Sequence, residues 1–229
     1  QSTVCLPFGR NSAVPSCTVY QDLSPALSPW GLAPRSGFHS EGPQTHVLIG
    51  NVNSEMWAAF SSEPIEGPDP LDRWTKQVVE TIAEQFNAQA LYAFEGPPYH
   101  PFQHWAKKAE AVFSSPIGPL IHPKFGLWHA YRAALIFDRK IDLPPQIPVA
   151  SPCESCVEKP CLLTCPVEAF SSGTYDVPAC VGHLETPEGA SCLNESCAAR
   201  RACPIGVKHC YSDEQSKHHM TAFLRAQTS

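Results

Sequence analysis

Eight cysteines between Cys153 and Cys203 carry the chemistry that can be read in this chain: Cys153, Cys156, Cys161, Cys165, Cys180, Cys192, Cys197 and Cys203. The first four follow the order C-x2-C-x4-C-x3-C-P, and Cys203 is also followed directly by proline. An iron–sulfur cluster asks for soft thiolate ligands at this density, with a proline that turns the backbone away after the last of them. In two-cluster ferredoxins three cysteines of a motif hold one cluster and the proline-flanked fourth holds the other. Applied here, that rule places Cys153, Cys156 and Cys161 with Cys203 on one cluster. It places Cys165 with Cys180, Cys192 and Cys197 on a second. The count closes with no ligand missing and none over, which favours two [4Fe–4S] clusters as the cofactors.

Three other readings stay open at this point. Zinc accepts four thiolates, although its sites usually pair two C-x2-C units and only one is present. Disulfides would spread over the fold, whereas nine of the eleven cysteines lie from Cys153 to Cys210. A single cluster with idle thiols is the third. The second half of the motif departs from compact spacing, with 11, 4 and 5 residues between its last four cysteines, Cys180 to Cys203. An inserted loop accounts for this. Cys210 is read as a spare thiol, with a substitute ligand as the alternative. His183 and His209 lie near in sequence but are not needed as ligands. Arg200 and Arg201 are candidates for raising a cluster potential, or are an ordinary exposed pair. No nucleophile triad, phosphate loop or paired-carboxylate site is evident, so no catalytic residue is assigned.

The rest of the chain must position these residues. Its 229 residues suit one or two domains, and 24 prolines point to turns rather than long helices. A formal charge of −6 argues against nucleic acid or an anionic membrane as the main partner. No apolar run approaches the about 18 residues of a membrane span. The clustered thiols point to a reducing compartment, the bacterial cytoplasm or the mitochondrial matrix side. The mitochondrial reading rests on the acid-free composition of residues 1–21, which is like the tail of a targeting segment. Cys5 and Cys17 have no partner motif.

Three segments are expected. Residues 1–44 read as a Pro/Ser-rich, turn-rich arm that packs through some of Leu23, Leu27, Trp30 and Leu32. Residues 45–149 read as an α/β domain. It opens with the strand H-V-L-I-G-N and a short helix capped by Asn53 or Ser54. A helix follows from Asp69, its cap, with Leu71, Trp74, Val78, Ile82 and Phe86 on one face. A-L-Y-A-F then suggests a parallel strand pair in a three-layer domain. The stretch 117–137 reads as two strands around H-P-K-F-G, and a boundary is expected near Pro144 to Val149. Residues 150–229 hold the two clusters and a terminal helix that packs back through Met220, Phe223 and Leu224.

The segments C-E-S-C-V-E-K-P-C-L-L-T-C-P-V-E-A-F, Y-D-V-P-A-C-V-G-H-L and C-A-A-R-R-A-C-P resemble the ferredoxin-like part of the epoxyqueuosine reductase family. More distantly they resemble corrinoid-dependent reductive dehalogenases. The resemblance covers roughly residues 100–210. It implies an α/β N-terminal domain, here an incomplete corrinoid-reductase-like sandwich, plus a small loop-rich bacterial-ferredoxin-like C-terminal domain. In that family the preceding domain holds a cobalamin fed by the clusters. Here Glu95, in A-F-E-G-P-P-Y, stands where the family has an aspartate, and the family's Gly-Lys-Asn-like turn is absent near Ile117 to Leu120. Cobalamin is therefore not expected. The chain is also similar to small bacterial proteins described only as dicluster ferredoxins. The expected function is electron transfer, as a carrier or a subunit, with a redox protein or larger complex as partner. An accessory iron–sulfur subunit and a corrinoid- or flavin-dependent reductase are the alternatives.

Overall fold

The computed structural model describes residues 18–228 apart from Pro64 and Ser172. Residues 1–17 of the targeting-like segment, with Cys5 and Cys17, lie outside the described residues.

The described part of the arm, residues 18–44, is a helix and a strand of the body, packed through Leu23, Leu27 and Leu32 as expected. Helix α1 (Val19–Leu27) is closed at its start by a capping box, in which Thr18 and Gln21 satisfy each other's backbone amides. It buries Leu23 and Leu27 completely. Strand β1 (Ala33–His39) follows. Pro34 and a register break between Pro34 and Gly37 sit on this outer strand, where neither interrupts a central ladder.

Strand β2 (Thr45–Val52) leads to α2 (Glu55–Ser62), α3 (Pro70–Phe86) and β3 (Gln89–Tyr92). After α4 (Phe102–Ala109) come the two-residue strands β4 (Phe113–Ser114) and β5 (Leu120–Ile121), then β6 (His129–Phe137). Among the described residues the main sheet has the order β1-β2-β6-β3, and every ladder in it is antiparallel. The expected parallel pair is therefore corrected. β2 and β3 run in the same direction, but β6 lies between them and pairs with both. The later strand enters the gap that the helical crossover leaves open.

Alternation along the central strands explains the layers. Val47 and Ile49 of β2, with Ala133, Leu135 and Phe137 of β6, face one core with α1, α2 and α3. Leu48, Ala134 and Ile136 point the other way, onto Phe102, Ala106 and Ala109 of α4. The apolar face of α3 is as expected, with Leu71, Trp74, Val78 and Ile82 buried. Its cap is not. Asp69 adopts a left-handed conformation (φ 45°) and its side chain makes no capping bond. At α2 the cap position is Ser54, which makes no capping bond, while Asn53 before it accepts from the Glu55 amide through Oδ1 at 2.8 Å.

The expected hairpin around H-P-K-F-G is also revised. His122 and Gly126 exchange backbone hydrogen bonds of 2.9 and 2.8 Å, so the turn is there. However, β5 pairs with β4 rather than β6. This frees Ile117, Ile121 and Leu127 to form a third core with Cys161, Ala169, Phe170, Ala199 and Cys203. The front of the molecule thus supplies one wall of the cysteine-rich part.

Residues 140–151 contain no helix or strand. Short helices then carry or flank the cysteines: α5 (Pro152–Ser155), α6 (Pro160–Leu163), α7 (Val177–Leu184), α8 (Ala190–Glu195) and α9 (Ala198–Arg201). Helix α10 (Asp213–Thr228) ends the description. Its Met220, Phe223 and Leu224 are half-buried, while Gln215 and Ser216 are its buried positions. The Ser212 amide donates to Ser54 Oγ at 2.7 Å, tying the start of α10 to α2.

Candidate functional site: two four-thiol pockets

Proline starts three of the cysteine-bearing helices, where its missing N–H costs no hydrogen bond. Ser151 caps α5 by accepting from the Cys153 amide at 3.3 Å. Asp176 caps α7 by accepting from the Ala179 amide at 3.0 Å. Between the helices the chain doubles back through residues in the left-handed region: Lys159 at φ 41°, Glu168 at φ 50° and Ser196 at φ 84°. These reversals let sulfurs far apart in sequence share a cavity.

Two cavities result. One is lined by Cys153, Cys156, Cys161 and Cys203, with Pro116, Ile121 and Ile205 among its walls. The other is lined by Cys165, Cys180, Cys192 and Cys197, with Phe170, His183, Leu184 and Met220. Both are small, leaving about 20 Å³ each for the centres of water-sized spheres. All eight cysteines assigned from spacing therefore line one cavity or the other, in two sets of four. Cys203 stands with the first three although about forty residues separate it from them. All nine cysteines among the described residues are free thiols.

The electrostatics divide along the same line. Burial raises the thiol pKa of Cys153, Cys161 and Cys203, and the next cause in the first two is a neighbour of the same set. Cys153 is pushed further by Cys203 and Cys156, and Cys161 by Cys203, Cys153 and Cys156. In the other set burial raises Cys180 and Cys197, and the sulfurs that add to it are Cys165 and Cys192 for the first, Cys192 and Cys180 for the second. Four thiolates drawn together in an apolar cavity repel one another. A bound cation or metal group offsets that repulsion, and its binding would release the thiol protons.

Neighbouring groups already act on the sulfurs. The Ala169 amide lies 3.4 Å from Cys165 Sγ. The backbone of Arg200 and Ala199 lowers the pKa of Cys197, at the start of α9, and that of Ile205 lowers the pKa of Cys203, each against the larger effect of burial. The Tyr175 ring stacks on Phe170, with centroids 4.8 Å apart, and its side chain works against burial to lower the pKa of Cys180. Among the described residues no three His, Cys, Asp or Glu side chains converge as the ligands of a single ion would.

The other candidates fall elsewhere. Cys210 is exposed and lines neither cavity. His183 lines the second cavity, and its Nε2 is buried without a hydrogen-bond partner. His209 stands edge-on to Phe125 with ring centroids 5.1 Å apart. Arg200 does not face a pocket with its charge. Its guanidinium stacks over Trp128 and Tyr211, 4.5 and 4.7 Å from their centroids, and Nε donates to the Leu127 carbonyl at 3.2 Å. Arg201 pairs with Glu195 at 2.9 Å. Glu95 pairs with Lys76 at 2.6 Å and lines neither cavity.

Two features escape a reading of spacing alone. The first is Tyr175, whose signal is its place five residues before Cys180 in Y-D-V-P-A-C. The second is a buried polar group on the sheet. Arg35 Nη2 lies 2.9 Å from Glu110 Oε1, the Tyr131 hydroxyl donates to the same oxygen at 2.6 Å, and His122 Nε2 lies 3.6 Å from Glu110 Oε2. His129 beside it donates from Nε2 to the Leu120 carbonyl at 3.1 Å.

No helix among the described residues is long and apolar enough to cross a membrane. No family model matches the chain, and no curated protein matches it. Solved epoxyqueuosine reductases are similar in structure. That of Bacillus subtilis is 13% identical over 77% of this chain and 52% of its own, with a TM-score of 0.47. That of Streptococcus thermophilus is 13% identical over 79% and 64%, at 0.43. A third, determined with an epoxyqueuosine-modified tRNA-Tyr stem loop, is 14% identical over 76% and 52%, at 0.42. The chain spans about half to two thirds of the length of these structures.

Proposed function

We propose that this chain is an electron-transfer protein that holds two [4Fe–4S] clusters, one in each four-thiol pocket. The observation that carries the proposal is the division of eight cysteines into two sets of four, each lining its own apolar cavity. Cys153, Cys156, Cys161 and Cys203 would hold the first cluster, and Cys165, Cys180, Cys192 and Cys197 the second. When bound, such clusters accept and release single electrons. The chain's own residues supply the rest. Ile121, Ile205, Phe170 and Leu184 keep water from the sulfurs, and the backbone of Ala169, Ala199, Arg200 and Ile205 favours the thiolate form, which tunes the potentials.

Partners on this reading are a redox protein or the other subunits of a complex. Substitution tests the ligand sets. Cys203→Ser should damage the first cluster and spare the second, and Cys165→Ser the reverse, as followed by iron content and EPR of anaerobically prepared protein. If Cys203→Ser removes only the second cluster, the crossing is wrong. A redox titration tests the role. Clusters that cannot be reduced within a biological range would make the iron structural and end the carrier reading.

A further inference from the structure

A larger cleft, of about 420 Å³, shares no residue with either thiol pocket. One of its walls is a face of α3, on which Trp74, Gln77, Val78 and Thr81 recur at three- and four-residue steps. Trp30, Ile65 and Glu63 complete the lining, and Glu63 is the one charged residue in it. The two indoles form a fixed corner. Trp30 meets Trp74 at 73° with ring centroids 6.2 Å apart, and Phe60 packs edge-on against Trp74 at 5.9 Å and 75°. Trp74 is buried, so its ring has no room to swing away. Gly31, at φ +62°, has the backbone of Glu55 and Met56 where a Cβ would stand, which fixes the turn that carries Trp30.

The charges around the cleft favour a cation. Glu63 is exposed and stands at the C-terminal end of α2, where helix carbonyls carry partial negative charge and the last turn has no basic residue. The loop that follows adds Glu66 and Asp69, with no lysine or arginine from residue 61 to 69. A bare divalent ion asks for several oxygen ligands, and the lining offers one carboxylate. An alkylated ammonium is instead suited to indole faces beside a single anion. We propose that this cleft binds a small organic cation, an alkylated ammonium. Its head sits in the Trp30–Trp74 corner beside Glu63, and its apolar groups lie on Ile65 and Val78.

The test is equilibrium dialysis of the full, anaerobically prepared protein against labelled choline. The matched control is the uncharged alcohol that has carbon in place of the choline nitrogen. The wild type should bind choline saturably at one site and hold it about tenfold more tightly than the alcohol, which is what a cation gains from indole rings and one exposed carboxylate. Glu63→Gln preserves the shape of an exposed side chain. It should weaken choline about fivefold and leave the alcohol unchanged. Trp30→Leu keeps an apolar residue but removes one ring of the corner, and should weaken choline more than the alcohol. Equal binding of choline and the alcohol, a choline affinity unchanged in either folded variant, or no saturable binding overturns the inference. Trp30 is half-buried. If Trp30→Leu does not fold by circular dichroism, the response of Glu63→Gln to choline and to the alcohol decides alone.

Discussion

Gly126→Ala should damage the first pocket from a distance, because two glycines fasten the sheet domain to the Cys203 loop. Gly126 has φ +60°, and a Cβ there would fall 1.9 Å from the Ile205 carbonyl oxygen. Gly206, at φ +75°, would place its own Cβ 2.3 Å from the Phe125 backbone. The two backbones therefore touch with no room for a side chain on either. An alanine at 126 costs about 1–2 kcal/mol for the left-handed conformation. The Ile205 carbonyl must also retreat by about 1.5 Å to reach ordinary contact at 3.4 Å, and such forced shifts cost about 1–3 kcal/mol. The total is about 2–5 kcal/mol. Ile205 is two residues past Cys203 and its backbone acts on the pKa of that thiol, so the shift reaches the first pocket. Gly173→Ala is the control. Its φ is +77° and no heavy atom lies within 4 Å of the added carbon, so only the conformational cost of about 1–2 kcal/mol remains. Denaturant unfolding and iron counts, each on anaerobic protein, separate the two variants. Gly126→Ala should be the less stable and should lose iron from the first centre. Equal stability of the two variants, or loss from the second centre alone, would refute the reasoning.

Three other outcomes are expected. Burial holds the pKa of His122 down to about 4 and that of His129 down to about 3, so both stay neutral in the folded protein while an unfolded histidine gains its proton near 6.5. The stability that this difference gives is complete above pH 6.5 and is lost as pH falls from there toward 4. Unfolding at pH 5 should therefore be easier than at pH 7 by up to about 2 kcal/mol per histidine, and His129→Gln should flatten the profile between those pH values. Glu110→Gln leaves the charge of Arg35, which is 4% exposed, without its anion, and should cost about 3–5 kcal/mol by denaturant titration. Arg200→Met removes a cation from between Trp128 and Tyr211, and should lower the melting temperature while leaving both cluster potentials within error. A shifted potential would show that Arg200 acts on a centre after all.

The two-cluster rule applied to the cysteine order sorts the eight thiols into the same two groups that line the two cavities, because it sends each proline-flanked cysteine across to the other set. The layout of the sheet was less legible. Strands β2 and β3 read as neighbours because a helix joins them, and nothing local in either announces that β6, forty residues later, lies between them. The segment 18–44 looked like an arm because Pro25, Pro29 and Pro34 suggest turns. Pro34 in fact sits on an outer strand, and Leu23, Leu27 and Leu32 bury enough apolar surface to hold α1 and β1 on the sheet. Arg200 and Arg201 illustrate the limit of adjacency in sequence. Both lie between two pocket cysteines, Cys197 and Cys203, but the helix they share turns one onto aromatic rings and the other onto Glu195. Tyr175 shows the reverse, a loop residue whose ring stacks between Phe170 and Phe223 of α10, which is far from it in sequence.

The central claim is tested most directly by counting iron and acid-labile sulfide in anaerobically prepared protein, alongside its zinc content. Two [4Fe–4S] clusters predict about eight irons and eight sulfides per chain. One or two zinc ions per chain, with no inorganic sulfide and no visible absorption, would contradict it.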